Sequence, residues 1–215
     1  MNTYVIYGIV CFFVFMAGFV DAIAGGGGLI SLPAYMIAGL PAHTAIATNK
    51  MSSSMGTTVA SWHYFRQGFM KWKLCIPAIM GAIVGSSLGA RLTLLIPENV
   101  LKIAMLIVLP VILFYVTKSK TLSGEAENRE EVINGTLIFK CVLIALAIGV
   151  YDGIYGPGTG TFLMLLFSGF CRMTMNDAAG TTKAINLTTN ITALIVFIMN
   201  GKVLLGLGIT AGICN

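Results

Sequence analysis

The sequence predicts an all-α, polytopic membrane protein made of two helical repeats with inverted topology. Three observations predict this fold class: long uncharged runs recur, a series of motifs occurs twice, and 57% of the 215 residues are hydrophobic while only 10% are charged. Soluble domains carry charge on about 25% of their residues. So few charges cannot cover a water-exposed surface, whereas a helix of about 20 apolar residues can cross a bilayer.

Six stretches of the chain are long enough to cross a membrane as helices. Four are strongly apolar, at 4–24, 72–95, 97–116 and 136–155, and two more polar ones, at 43–65 and 173–199, each carry one lysine in the middle. Two apolar pieces, 29–40 and 161–170, are too short to span. Because each follows a glycine-rich turn, these pieces predict broken or re-entrant half-helices.

The predicted domain organisation has three parts. Residues 1–117 form a first transmembrane repeat, 118–134 a polar cytoplasmic linker, and 135–215 a second transmembrane repeat. The distribution of lysine and arginine predicts an external N-terminus and a cytoplasmic linker by the positive-inside rule. An equivalent second repeat would continue through two helices after Gly201, so we expect the second repeat to be incomplete at its C-terminus.

The internal repeat is visible in the order and spacing of its motifs. The sequence GFVD, ending at Asp21, is echoed by GVYD, ending at Asp152, 131 residues later (152 minus 21), and TNK, ending at Lys50, is echoed by TTK, ending at Lys183, 133 residues later (183 minus 50). Hydrophobic repeats joined by a polar linker are typical of secondary transporters, whose sites lie where the repeats meet. If every helical piece before the linker crosses the membrane, there are five crossings, and if the two pieces that flank the glycine turn form a hairpin, three remain. Both numbers are odd, so the second repeat should be inverted.

The same two charged residue types lie inside predicted helical runs of both halves. These are Asp21 and Lys50 in the first half, and Asp152 and Lys183 in the second. A charge at bilayer depth costs several kcal/mol, so it usually faces a cavity or a partner. We expect the lysines to bind an anion and the aspartates to couple transport to protons. The alternative is a structural Asp–Lys pair in each half that holds its helices together.

Backbone and amide groups extend this predicted site. The glycine turns precede short helices, where N–H groups and the helix dipole favour a negative ligand. Besides the two lysines, the predicted substrate-binding set comprises Asn49, Asn186, Asn190, Gly26, Gly27, Gly158 and Thr159. The alternatives are close helix packing for the glycines and interhelical hydrogen bonds for the amides.

Other chemistry lacks support in the sequence. The five cysteines have no metal-binding spacing, and neither a phosphate-binding loop nor a nucleophile with a base partner is evident. We therefore expect no enzyme activity, no metal, no cofactor and no nucleic-acid partner. The expected partners are a small anionic substrate and the lipid bilayer, with a homo-oligomer left open.

These motifs resemble the sulfite exporter TauE/SafE family of membrane permeases, also called the TSUP family. The resemblance rests on GFVDAIAGGGGLISLP at 18–33, TNK at 48–50, DGIYGPGTGT at 152–161 and GTTKAINLTTN at 180–190, and it covers nearly the whole chain. It implies an inner-membrane carrier for sulfur-containing anions such as sulfite, sulfonates or sulfoacetate, working by alternating access, with proton coupling as an option. The alternatives are a passive anion channel and a non-transporting membrane subunit.

Overall fold

All regular elements that the structure describes are α-helices. A computed structural model describes residues 2–24, 26–118 and 133–215. The helices are α1 (Thr3–Ala24), α2 (Gly28–Ile37), α3 (Ala42–Arg66), α4 (Trp72–Leu95), α5 (Glu98–Lys118), α6 (Gly135–Ile154), α7 (Thr159–Gly169), α8 (Met175–Met199) and α9 (Leu205–Cys214). The predicted all-α fold is therefore confirmed, and both short helices follow the glycine turns as expected.

The helix lengths and outer surfaces fit a membrane environment. Among the described residues, four helices are long and apolar enough to cross a bilayer: Thr3–Ala22, Trp72–Leu95, Gly135–Ile154 and Met175–Met199. Their outward faces expose large apolar side chains such as Phe12, Met80 and Phe139. Helix α3 is equally long at 25 residues, but it buries a row of polar side chains toward the interior, which lowers its hydropathy.

The short helices end and begin where the backbone takes unusual conformations. Helix α2 stops at Ile37, before the predicted end of the apolar piece, because Gly39 has φ +88° and the chain turns there. Helix α7 begins at Thr159, directly after Gly158, which has φ +81°. Glycine adopts left-handed backbone at little energetic cost. The two glycines therefore fix the end of α2 and the start of α7, which hydropathy alone does not locate.

The two halves have the same order of long, short and long helices, α1 to α3 and α6 to α8. They also end these helices alike. The residues that follow α2 and α7, Gly39 and Arg172, both have positive φ, and so do Gly68 and Gly201 after α3 and α8. Each of these pairs is separated by 133 residues, the spacing of the two lysines (172 minus 39; 201 minus 68).

Helices α4 and α6, one from each half, pack with their backbones in contact. Gly81, Gly85 and Gly89 on α4 face α6, and a Cβ at Gly85 or Gly89 would overlap the carbonyl oxygens of Leu146 and Val150 respectively. On α6, a Cβ at Gly153 would overlap the carbonyl oxygen of Ser86 on α4, and a Cβ at Gly149 would lie 3.0 Å from that of Ala82. Small residues spaced by four allow such close approach of membrane helices, and this stripe joins the two halves.

Residues 119–132, which hold most of the predicted linker and its four glutamates, lie outside the described residues. The domain boundaries, the inverted topology and the external N-terminus stay predictions.

Candidate functional site

A small polar cavity lies where the two halves meet. It is lined from α1, α2, α3, α6, α7 and α8, by both glycine turns and by Asn215. The space open to the centres of water molecules is about 30 Å³, which is room for roughly two waters. Of the predicted site residues, those on the cavity wall are Asp21, Gly27, Asn49, Lys50, Asp152, Gly158, Thr159, Asn186 and Asn190. Gly26 and Lys183 lie outside this lining.

Each lysine pairs with the aspartate of the other half. Lys50 Nζ donates to Asp152 Oδ2 at 2.7 Å and to Asn190 Oδ1 at 3.0 Å. Lys183 Nζ donates to Asp21 Oδ2 at 2.9 Å and to its backbone oxygen at 2.8 Å. The alternative of one structural pair inside each half is therefore wrong. The reason is that α3 and α8 pack against each other, so each lysine reaches across the interface between the halves.

The two ion pairs differ in exposure. The side chains of Lys50 and Asp152 are 2% and 1% exposed, whereas those of Lys183 and Asp21 are 6% and 22% exposed. The first pair is thus almost completely buried beside the small cavity, and the second borders more open space. Exchanging the halves converts one pair into the other, so the difference lies in the surroundings and not in the residue types.

The two glycine turns touch each other beside the cavity. A Cβ at Gly28 would lie 3.0 Å from Cα of Pro157, which belongs to the second turn. Gly156 in that turn has φ +96°, and a Cβ there would lie 3.0 Å from Lys50 Nζ. Because α2 and α7 start at these turns, the N-terminal ends of both helices, with their partial positive charge, converge on the cavity.

Thr159 holds Asp152 on the side away from Lys50. Its Oγ1 lies 2.7 Å from Asp152 Oδ1 and also 2.7 Å from the carbonyl oxygen of Gly156. In the first half, Asp21 Oδ1 instead accepts a hydrogen bond from the backbone N–H of Gly27 at 3.3 Å. Sequence spacing placed Thr159 in the site but did not predict this contact, because the turn between them reverses the chain direction.

The asparagines occupy different environments. Asn190 accepts from Lys50 and donates to Asn186 Oδ1 at 3.4 Å. Asn49 lines the cavity, and its buried Oδ1 has no hydrogen-bond partner among the described residues. A buried polar atom without a partner is costly, so Asn49 Oδ1 is available to accept a hydrogen bond from a donor such as a bound water.

Among the cavity residues that were absent from the predicted set, three carry hydroxyl groups. Ser53 and Thr57 on α3 line the cavity beside Asn186 and Asn190 on α8, from which they are separated by 133 residues (186 minus 53; 190 minus 57), and Ser31 on α2 lines it too. The repeat spacing alone matches Ser53 and Thr57 with these two asparagines, although neither was included in the predicted substrate-binding set. No comparable signal exists for Ser31.

Comparison with known proteins gives consistent matches. The model of the sulfite exporter TauE/SafE family matches residues 10–215. The chain is 36% identical over 199 residues to the probable membrane transporter protein ORF9 of a Sinorhizobium species, covering 93% of this chain and 75% of that protein. It is 35% identical over 202 residues to the probable membrane transporter protein YfcA of Escherichia coli K12, covering 94% and 73% of the two chains. No solved structure matches the chain.

Proposed function

Since this chain belongs to the sulfite exporter TauE/SafE family of membrane transporters, we propose that it is a secondary transporter for small, sulfur-containing anions. Sulfite, sulfonates and sulfoacetate are the substrate class, and the cell inner membrane is the location. The observation that carries this proposal is the small polar cavity between the halves, where Lys50 and two helix N-termini converge and where Asp21, the partner of Lys183, lies on the same wall.

The charge balance of the site supports an anion as substrate. Two lysines and two aspartates give no net charge when all four are ionised. An anion that leaves water must recover its hydration energy, and here it can do so by taking a lysine from its aspartate. The N–H groups at the starts of α2 and α7 supply further hydrogen bonds.

The same balance favours proton coupling. An anion added to a neutral, enclosed site leaves an uncompensated negative charge, which costs several kcal/mol. A proton taken up by one aspartate removes that cost. Asp21 and Asp152 are therefore the two candidates for the coupling residue, and the transported unit is one anion together with one proton.

Alternating access fits the position of the ion pairs. Both pairs bridge the interface between the halves, so a movement of one half against the other must stretch or break them. Substrate sites at the interface of two repeats are the usual arrangement in secondary transporters. The unequal exposure of the two pairs is what one of two alternating states would have.

Anion binding is tested first by thermal unfolding of the purified protein. A ligand of the native state raises stability by mass action, so we expect sulfite to raise the melting temperature more than chloride or acetate at equal ionic strength. The control is the variant Lys202→Gln, in which sulfite should raise the melting temperature as in the unchanged protein. Lys202 is exposed after α8 and lies outside the cavity. Equal shifts for all anions would contradict a sulfur-anion site.

Counterflow in vesicles tests the carrier mechanism. Unlabelled sulfite trapped inside should accelerate the uptake of labelled sulfite, because a carrier exchanges its substrate. A passive channel gives no such acceleration. Binding without flux under any gradient would instead indicate a non-transporting subunit.

A further inference from the structure

We propose that Thr159 is a hydroxyl switch that transmits the protonation state of Asp152 to the second glycine turn, and that Asp152, not Asp21, carries the coupled proton. The transport role of this switch rests on the proposed function. The switch itself rests on the contacts of one hydroxyl group.

The hydroxyl of Thr159 has two acceptors but only one hydrogen. Asp152 Oδ1 and the carbonyl oxygen of Gly156 both lie 2.7 Å from Thr159 Oγ1. A threonine hydroxyl donates one hydrogen bond and accepts up to two. A carbonyl oxygen and an ionised carboxylate only accept, so Thr159 cannot serve both fully while Asp152 is ionised.

A proton on Asp152 resolves this competition. When the carboxylate takes a proton from water onto Oδ1, the new O–H donates to Thr159 Oγ1, and the Thr159 hydrogen turns to the carbonyl of Gly156. Oδ2 continues to accept from Lys50. When the proton leaves to water, the Thr159 hydrogen returns to Oδ1 and the Gly156 carbonyl loses this donor. Each state thus has its own hydrogen-bond pattern, and no atom other than the proton is gained or lost.

The turn that receives this signal is part of the cavity wall. Gly156 and Gly158 both line the cavity, and a Cβ at Gly156 would lie only 3.0 Å from Lys50 Nζ. The next carbonyl, that of Pro157, accepts a hydrogen bond from the Tyr151 hydroxyl at 2.5 Å. A change at the Gly156 carbonyl therefore acts on a turn that is otherwise fixed and that touches the anion-binding lysine.

The first half lacks the parts for such a switch. The residue that corresponds to Thr159, 131 positions earlier, is Gly28, which has no hydroxyl. Asp21 Oδ1 accepts from the backbone N–H of Gly27, and a backbone N–H can only donate. A proton on that oxygen would face another donor and no hydroxyl that could turn, so the first-half contacts cannot transmit the protonation of Asp21 as Thr159 does for Asp152.

Few charged groups surround Asp152. Lys50 reaches it from α3, and Asp21 on α1 lies on the same cavity wall. Lys183 on α8 is held by Asp21, and the neighbouring titratable groups on α6 itself are Tyr151 and Tyr155. From α7 the facing group is the neutral Thr159, and α4 faces this part of α6 with Ser86, Gly89 and Ala90. Lys50 is thus the one charge in direct contact with Asp152 among the described residues.

Hydrogen–deuterium exchange without any anion tests the switch directly. After correction for the intrinsic pH dependence of exchange, the backbone amides at the start of α7 should be protected about tenfold more at acidic than at alkaline pH, the effect of one hydrogen bond. Thr159→Val should abolish this difference, and Thr159→Ser should retain it. The matched control is Thr188→Val on α8, whose hydroxyl bonds within its own helix to Ala184.

The aspartate variants identify the carboxyl that is sensed. Asp152→Asn should fix the amides of α7 at one level of protection at every pH, whereas Asp21→Asn should leave the pH dependence in place. These two variants keep the test decisive if Thr159→Val fails to fold. The proposal is overturned if the wild type shows no pH dependence, if Thr159→Val behaves as the wild type, or if Asp21→Asn and not Asp152→Asn removes the effect.

Uptake of labelled sulfite then connects the switch to transport. The pH profile of uptake should flatten in Thr159→Val and return in Thr159→Ser. If hydrogen–deuterium exchange behaves as expected but no sulfite is taken up, the proposed substrate is refuted and the proposed switch is still supported. Uptake with an identical pH profile in all three proteins would refute the role of the switch in coupling.

Discussion

Lys50 shows what a buried charge requires of its surroundings. Its ammonium group is enclosed by α3, α6 and α8, and two of its three N–H donors bond to Asp152 and Asn190. A charge in such a place is tolerated only when a counter-charge and hydrogen bonds replace the lost water. Lys50 also lines the cavity, so in our proposal its third donor is available to a small anion.

Removing this lysine should destabilise the protein through the aspartate left behind. In Lys50→Gln, Asp152 is left at 1% exposure without its cation, and breaking a buried pair in this way costs about 3–5 kcal/mol. We expect the free energy of unfolding to fall by that amount and to recover largely in the double variant Lys50→Gln with Asp152→Asn. A double variant as unstable as the single one would show that lost packing, not lost charge pairing, is the cause.

The two neutralised pairs should differ in anion binding. Lys50 lines the cavity and Lys183 does not, although both side chains are buried. Loss of one charged hydrogen bond weakens binding at least about tenfold. We therefore expect sulfite affinity, measured by calorimetry, to drop more in Lys50→Gln with Asp152→Asn than in Lys183→Gln with Asp21→Asn. Equal losses would indicate that both lysines reach the anion in another conformation.

At this scale the sequence identifies residues but not partners. The repeated GFVD, TNK and TTK motifs point to Asp21, Asp152 and both lysines without any structure. The partner of each lysine is 102 or 162 residues away in the chain, and helix periodicity carries no information at that separation. Pairing across the halves follows only from how α3 and α8 pack.

At the scale of the helices, the close packing of α4 against α6 depends on glycines, which have no side chain. Gly81, Gly85 and Gly89 recur every four residues, a spacing that is readable in the sequence, yet the hydropathy that predicted both helices says nothing of their contact. The helix bounds themselves follow hydropathy closely: the stretch 72–95 coincides with α4. To predict which helices contact each other, the contacting face of each helix must be known as well as its first and last residues.

A single methyl group should disturb this helix pair. A Cβ at Gly85 would overlap the backbone carbonyl of Leu146 on α6, and overpacking of this kind costs about 1–3 kcal/mol. We expect Gly85→Ala to lower the melting temperature of the purified protein. Gly8→Ala on α1 is the matched control, since a Cβ there meets no atom within 4 Å. Unchanged melting of Gly85→Ala would mean that α4 and α6 are less closely packed than described.

The second glycine turn should be equally intolerant, for a conformational reason. Gly156 has φ +96°, which non-glycine residues adopt at a cost of about 1–3 kcal/mol, and a Cβ would press on Lys50 Nζ. Gly156→Ala should therefore reduce both stability and sulfite binding. Gly169→Ala, at the other end of α7 and with open space around it, should change neither measurement.

For the whole molecule, the reciprocal ion pairs are the strongest sign of how the halves are related. If the two halves are interchanged, the contact of Lys50 with Asp152 becomes the contact of Lys183 with Asp21. Reciprocal contacts of this kind are what an approximate two-fold axis between two similar bodies would produce. The left-handed residues that end the equivalent helices, Gly68 and Gly201 among them, agree with that relation.

The direction of that axis decides the topology and can be measured. If it lies in the membrane plane, equivalent positions of the two halves face opposite sides of the bilayer. Gln67 and Asn200 are such a pair, 133 residues apart (200 minus 67), and both are exposed just after α3 and α8. In a background in which the five cysteines are replaced by serine or alanine, we expect Gln67→Cys to react with a membrane-impermeant thiol reagent only from the cytoplasmic side. Asn200→Cys should react only from outside. Each variant serves as the control for the other, and labelling of both from one side would show that the repeats are parallel and that the odd number of crossings is wrong.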